Sequence, residues 1–169
     1  MVLIDPAIRA KFPRSAFTKR GLELFLAEAI RTARLSGSVS VLLTGDAQIR
    51  RLNRDFRHKD KATDVLSFPA GEDHGRSRTA GDLAVSVETA AREAALRGHP
   101  LDTELRILLL HGVLHLAGYD HETDHGEMAR KENALRKKLG LQQGLIERAA
   151  TPAPRRKVTP SHKSRSRQS

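Results

Sequence analysis

Apolar positions along this chain recur with two different periods, and the switches between them predict alternating strands and helices. Val2–Ile4 is a short apolar run of the kind that forms an edge strand. Across residues 14–35, Leu22, Phe25, Leu26, Ala29, Ile30 and Ala33 recur at helical spacing and predict a helix with one core-facing stripe. Ser36-Gly37-Ser38 ends it. Residues 39–44 read as a buried strand. Asp46 stands where it would cap a helix over residues 47–55, with Ile49 and Leu52 turned inward. Residues 63–68 alternate and stop at Pro69, which predicts a strand. A polar, glycine-containing loop is expected over residues 70–80, then a strand over 82–87. An alanine-rich helix over 88–97 closes at Gly98. Pro100-Leu101-Asp102 opens the next helix, with Asp102 as its expected N-cap and Leu105, Leu108 and Leu109 as anchors. A last helix spans residues 124–139 and ends at Gly140. Four strands interleaved with five helices predict an α+β or three-layer arrangement around a small mixed sheet.

Length and composition narrow the class. At 169 residues the chain suits one domain with a substantial core. It has no apolar run near the 18 residues that a membrane span needs, and Met1-Val2-Leu3-Ile4-Asp5 is too short and acidic for a secretory signal. The absence of Cys fits a reducing cytoplasm. The net charge of +10 is uneven. Arg155, Arg156, Lys157, Lys163, Arg165 and Arg167 share the last twenty residues with no acid, so 24 basic and 20 acidic residues remain in the body, a net of +4. The expected division is a single hydrolase domain over residues 1–149 and a disordered basic tail over 150–169, too poor in apolar surface to offset the entropy of ordering. Such an arm suits contact with nucleic-acid phosphates, or serves only solubility.

The densest chemistry lies in His111-Gly112-Val113-Leu114-His115-Leu116-Ala117-Gly118-Tyr119-Asp120-His121. Positions i and i+4 share one helix face, so His111 and His115 can grip one ion. Gly118 can adopt the conformation that ends a helix and turns the chain back, bringing His121 to the same ion. Three protein ligands on a zinc leave one tetrahedral position for water, the arrangement of a catalytic site. With eight His and twelve Gly in the chain, this four-position pattern arises by chance roughly 0.001 times per chain, so the spacing is informative. Hydrogen-bonded core histidines would need three sets of buried partners. A closed structural zinc would need a fourth ligand, which Asp120 or a distant carboxylate would have to supply. Asp120, Glu122 and Asp124 are candidates to orient the ligating rings. His58 and His99 fall in expected turns, His74 in a loop, His125 at a helix start and His162 in the tail. A second charged segment, Leu52-Asn53-Arg54-Asp55-Phe56-Arg57-His58-Lys59-Asp60-Lys61, reads alone as a solvated loop, with Phe56 and Phe68 as core or helix-packing residues rather than base platforms, since no Trp, one Tyr and five Phe leave little aromatic surface for stacking bases.

The spacing His-x3-His-x2-Gly-x2-His resembles that of the metzincin metalloproteases, but their Glu after the first His, the general base, is here Gly112. The longer pattern resembles the YbeY family of endoribonucleases and rRNA maturation factors. It is carried by the histidine segment together with Asn53-Arg54-Asp55-Phe56-Arg57-His58-Lys59-Asp60-Lys61-Ala62-Thr63-Asp64-Val65-Leu66-Ser67-Phe68-Pro69 and Gly81-Asp82, and covers residues 38–140. The resemblance implies an α+β fold with a four-stranded sheet flanked by helices, and one Zn2+ held by His111, His115 and His121. It implies single-strand RNA cleavage in ribosomal RNA processing, small-subunit 3′-end maturation and ribosome quality control. It puts the arginine of an Asn-x-x-aromatic-Arg motif on Arg57, the candidate for phosphate contact, with Lys59 and Lys61 as RNA-attracting neighbours. The expected partners are ribosomal RNA, the small ribosomal subunit and ribosomal or assembly proteins, in the cytoplasm. Two other readings stay open. One is a ribosome-assembly factor whose metal mainly stabilises it, the other a metallopeptidase with a different base.

Overall fold

The computed structural model describes residues 1–71, 79–120 and 124–141. Its elements run β1 (Val2–Ile4), α1 (Pro6–Lys11), α2 (Lys19–Ala33), β2 (Ser38–Thr44), α3 (Asp46–Arg57), β3 (Val65–Pro69), β4 (Thr79–Ser86), α4 (Val87–Arg97), α5 (Leu101–Leu116) and α6 (Glu127–Lys138). The strands form one mixed sheet in the order β1-β2-β4-β3. β1, β2 and β4 are parallel, and β3 joins β4 antiparallel at the edge. The α+β class and the small four-stranded mixed sheet follow the expectation.

The sheet's alternation divides the core. Val39, Val41 and Leu43 of β2 and Leu83 and Val85 of β4 face a large apolar cluster with α2, α4, α5 and α6. Leu66 and Ala84, of opposite parity, meet Ile49 of α3 on the other face. β4 therefore carries helices on both sides, which is why its second half reads as an apolar run. α5 is buried on all sides from Leu105 to Leu114, apart from the half-buried Arg106 before that run's centre, and packs as the central helix. No helix among the described residues is long and apolar enough to cross a membrane.

Several local expectations need correction. Among the described residues six helices surround the sheet, not five. α1 was missing because six residues are too few to show a period, although its signals are present: the Asp5 side chain accepts the Ala7 amide at 2.9 Å and a proline opens the first turn. The helix expected over residues 14–35 begins at Lys19, where Thr18 caps it by accepting the Gly21 amide. Asp46 does not cap its own helix. Its carboxylate accepts the hydroxyls of Ser86 and Thr89 at the start of α4, while its amide donates to Glu88. Asp102 lies inside α5 and binds Arg106 one turn on, leaving Pro100 at the cap position. Gly98 and Gly140 take the positive φ expected of helix ends. The predicted tail and most of the 70–80 loop lie outside the described residues.

Candidate functional site

The position of α5 follows from a missing side chain. A Cβ built on Gly112 would lie 2.7 Å from Leu83 Cδ2, closer than packed carbons approach, so any larger residue there would force the Leu83 side chain to move. The residue that departs from the metalloprotease motif is thus a packing glycine in a buried helix.

At the end of α5 the two histidines meet. His111 is buried and His115 half-buried, with ring centroids 4.7 Å apart and planes at 76°. Their Nε2 atoms face each other at 3.1 Å. A tetrahedral zinc with Zn–N bonds of the usual length holds two ligand nitrogens about 3.4 Å apart, so this pair is nearly at ligand spacing. The all-nitrogen donor set also suits zinc.

Behind the pair, His111 Nδ1 lies 3.0 Å from Glu132 Oε2, and Glu132 is 1 % exposed. A buried carboxylate opposite Nδ1 commits that nitrogen to its proton and leaves Nε2 with its lone pair toward His115. Glu132 comes from the middle of α6, and sequence reasoning missed it. Asp120, Glu122 and Asp124 were the expected ring partners. Asp124 instead accepts the amides of Gly126 and Met128, both at 2.7 Å, at the start of α6. Those bonds, the Met128 amide foremost, hold its carboxyl below the usual carboxylate range. Glu122 lies outside the described residues. A signal for Glu132 existed: it occupies the buried stripe of α6 with Met128 and Leu135, where an acid is out of place unless partnered.

The turn expected after His115 is present. Gly118 has φ +89°, its amide donates to His115 O, and the Tyr119 amide donates to Leu114 O. That pair of bonds is a Schellman stop. It reverses the chain three residues before His121, which itself lies outside the described residues. Among the described residues no group of three His, Cys, Asp or Glu side chains is placed to hold a metal, so the third ligand rests on the spacing alone.

The second charged segment is ordered by its own side chains. Asn53 is buried and donates from Nδ2 to Lys61 O at 2.8 Å, closing the loop after α3. Arg50 and Asp60 pair through two parallel 2.8 Å bonds. Arg57, Lys59 and Lys61 are exposed. Arg57 donates to Ser67 O at 3.0 Å. The bonds Ser86 N to Asp64 O and Ala70 N to Ala80 O bracket the β3–β4 ladder, so Asp64, Leu66, Phe68 and Ala70 face β4 and Ser67 turns its carbonyl to the open edge. Arg57 satisfies that edge carbonyl.

The segment and the histidines adjoin through Gly81. It pairs with Pro69, has φ +148°, and a Cβ there would fall 2.4 Å from Phe68 O and 2.7 Å from Leu116 Cδ2. The end of β3 that anchors Arg57 therefore abuts the end of α5 that carries His115. His99, expected in a turn, lies between α4 and α5 with Nε2 2.9 Å from Glu104. His58 takes φ +56° at the end of α3, and His125 is exposed just before α6.

Comparison with known proteins agrees with this architecture. The family model described as endoribonuclease YbeY matches residues 10–140. A curated endoribonuclease YbeY of Koribacter versatilis is 54 % identical over 136 residues, spanning 80 % of this chain and 87 % of that protein. One from Wolinella succinogenes is 40 % identical over 131 residues, spanning 78 % and 92 %. A solution structure from Thermotoga maritima superposes with a TM-score of 0.54 at 26 % identity, covering 95 % of this chain and all of that one. Fold and matched sequence together define an α+β protein of an endoribonuclease family. The chain belongs to the YbeY family.

Proposed function

We propose that this protein is a zinc-dependent endoribonuclease that cuts single-stranded RNA in the cytoplasm. We place its work in ribosomal RNA processing, small-subunit 3′-end maturation and ribosome quality control. Ribosomal RNA, the small subunit and ribosomal or assembly proteins would be its partners. The observation that carries this reading is the Nε2 pair of His111 and His115, held at 3.1 Å with Glu132 behind it, in a chain of an endoribonuclease family.

His111, His115 and His121 would hold one Zn2+. When bound there, zinc supplies a Lewis acid and brings the pKa of a coordinated water to about 7. The chain's own groups do the rest. Glu132 keeps His111 in one tautomer and one orientation. Arg57 has five N–H donors, and with one set on Ser67 O the others can meet a phosphate oxygen as negative charge builds on it. Lys59 and Lys61 raise the local concentration of a polyanion. A peptidase would need a carboxylate base after the first histidine, where this chain has Gly112, packed against Leu83.

Metal analysis of the purified chain, joined to RNA cleavage with and without chelator, tests the reading. About one zinc per chain and chelator-sensitive cleavage are expected. Cleavage that survives complete metal removal would refute it. Loss of metal that lowers the melting temperature but spares ribosome co-sedimentation would favour the assembly-factor reading. Arg57→Ala should fold and retain zinc while kcat/KM falls about 10²–10³-fold, the usual effect of removing one donor to developing charge. Unchanged turnover would remove Arg57 from the site.

A further inference from the structure

Phe56 departs from its expected place. It lies seven residues after Ile49 and four after Leu52, on the stripe of α3 that packs on the sheet, and so reads as core. In the structure it is 66 % exposed, while Ile49 is buried with Leu66 and Ala84, and Leu52 packs beside them. The stripe outruns the sheet, and its last ring projects past the core. That ring is nonetheless held. Phe68 meets it edge to face, with centroids 5.3 Å apart and planes at 68°, a preferred aromatic geometry. An edge-to-face contact covers one part of a ring and leaves face area open.

The same two strand residues anchor a cation beside it. Ser67 O binds Arg57, and the next residue, Phe68, supports Phe56. An exposed aromatic ring and a guanidinium are thereby fixed side by side on β3. From Arg50 to Lys61 the chain carries six Arg or Lys and two Asp. Asp55 is engaged by Arg54 and Asp60 by Arg50, so the charge presented around Phe56 is strongly positive.

We propose that Phe56 is a stacking platform for an unpaired nucleobase, with Arg57 on the adjoining phosphate, and that it contributes the preference for single-stranded RNA. The proposal rests on the ribonuclease reading and deepens it. A polyanion answers the charge, and among polyanions only a strand with unstacked bases has a flat face to offer the ring. A duplex keeps its bases covered and gains only the charge.

The chain has no Trp, so Phe56→Trp makes a sole indole reporter at the platform. Binding of a short labelled oligoadenylate is compared with an abasic strand of equal length and charge, for wild type, Phe56→Trp, Phe56→Leu and Phe56→Ala. Melting temperatures are recorded to show that each variant folds. Phe56→Leu keeps an apolar side chain against Phe68 but has no ring face. The expected result is a Kd for oligoadenylate raised about 5- to 150-fold by Leu and by Ala, with abasic-strand binding unchanged. Phe56→Trp should bind like wild type, and oligoadenylate, but not the abasic strand, should quench its emission. Wild-type affinity in Phe56→Leu, or indole emission unmoved at saturating oligoadenylate, overturns the platform while leaving the ribonuclease reading intact. Wild-type protein that binds neither strand overturns both.

Discussion

His115→Ala is expected to abolish stoichiometric zinc binding and to lower RNA cleavage by roughly 10³-fold or more, because a metal centre contributes several kcal/mol at the transition state and each 1.4 kcal/mol is a factor of ten. The fold should survive. His115 is half-buried at the last turn of α5, and the helix is held upstream by Leu105, Leu108, Leu109, Leu110 and Leu114, all fully buried. What disappears is one of two nitrogens that face each other at 3.1 Å. His111 and Glu132 remain in place, but His111 and His121 would offer zinc only two protein ligands, one fewer than a catalytic zinc site needs. Zinc content by elemental analysis, circular dichroism and cleavage of a single-stranded RNA give the three readouts. A variant that keeps wild-type cleavage, or full zinc content, would show that the histidine pair is not a metal centre.

Gly81→Ala is the second large effect, and it should act on stability. Gly81 sits opposite Pro69 in the β3–β4 ladder with φ +148°, a conformation an L side chain rarely adopts. The added Cβ would meet Phe68 O at 2.4 Å and Leu116 Cδ2 at 2.7 Å. The first of these is backbone and cannot swing aside. Backbone strain of about 1–3 kcal/mol and overpacking of about 1–3 kcal/mol together predict a loss of about 2–6 kcal/mol, a large part of the 5–15 kcal/mol that typically holds a domain. Denaturant unfolding measures it. A midpoint within error of wild type would contradict the close approach of β3, β4 and α5 on which the joining of Arg57 to the histidines depends.

The two predictions separate kinds of information. The helix that carries His111 and His115, and the stop at Gly118, were legible because each is local: a period near 3.6, a four-residue spacing, a glycine at a turn. The same locality made the strands readable to within a few residues. Where local rules were ambiguous they failed in an understandable way. Asp46 and Asp102 have the right chemistry for caps, but each found a partner elsewhere, Asp46 across the gap to α4 and Asp102 one turn along its own helix. Phe56 has the right spacing for core, but where the sheet ends is not written in α3.

Glu132, Gly112 and Gly81 have the same explanation. Glu132 matters because α6 folds back on α5, twenty-one residues away in sequence. Gly112 matters because Leu83 lies against it, and Gly81 because a β3 carbonyl and Leu116 close on it.

The residues alone determined the class of fold and the order of its elements apart from α1, and put His111 and His115 on one helix face, since periodicity and spacing act over a few neighbouring positions. Only the tertiary structure decided which carboxylate backs His111, why the residue after it is glycine, and that the β3 end beside Arg57 abuts the histidine helix. Those depend on contacts between segments far apart in the chain, and distance in space is set by packing.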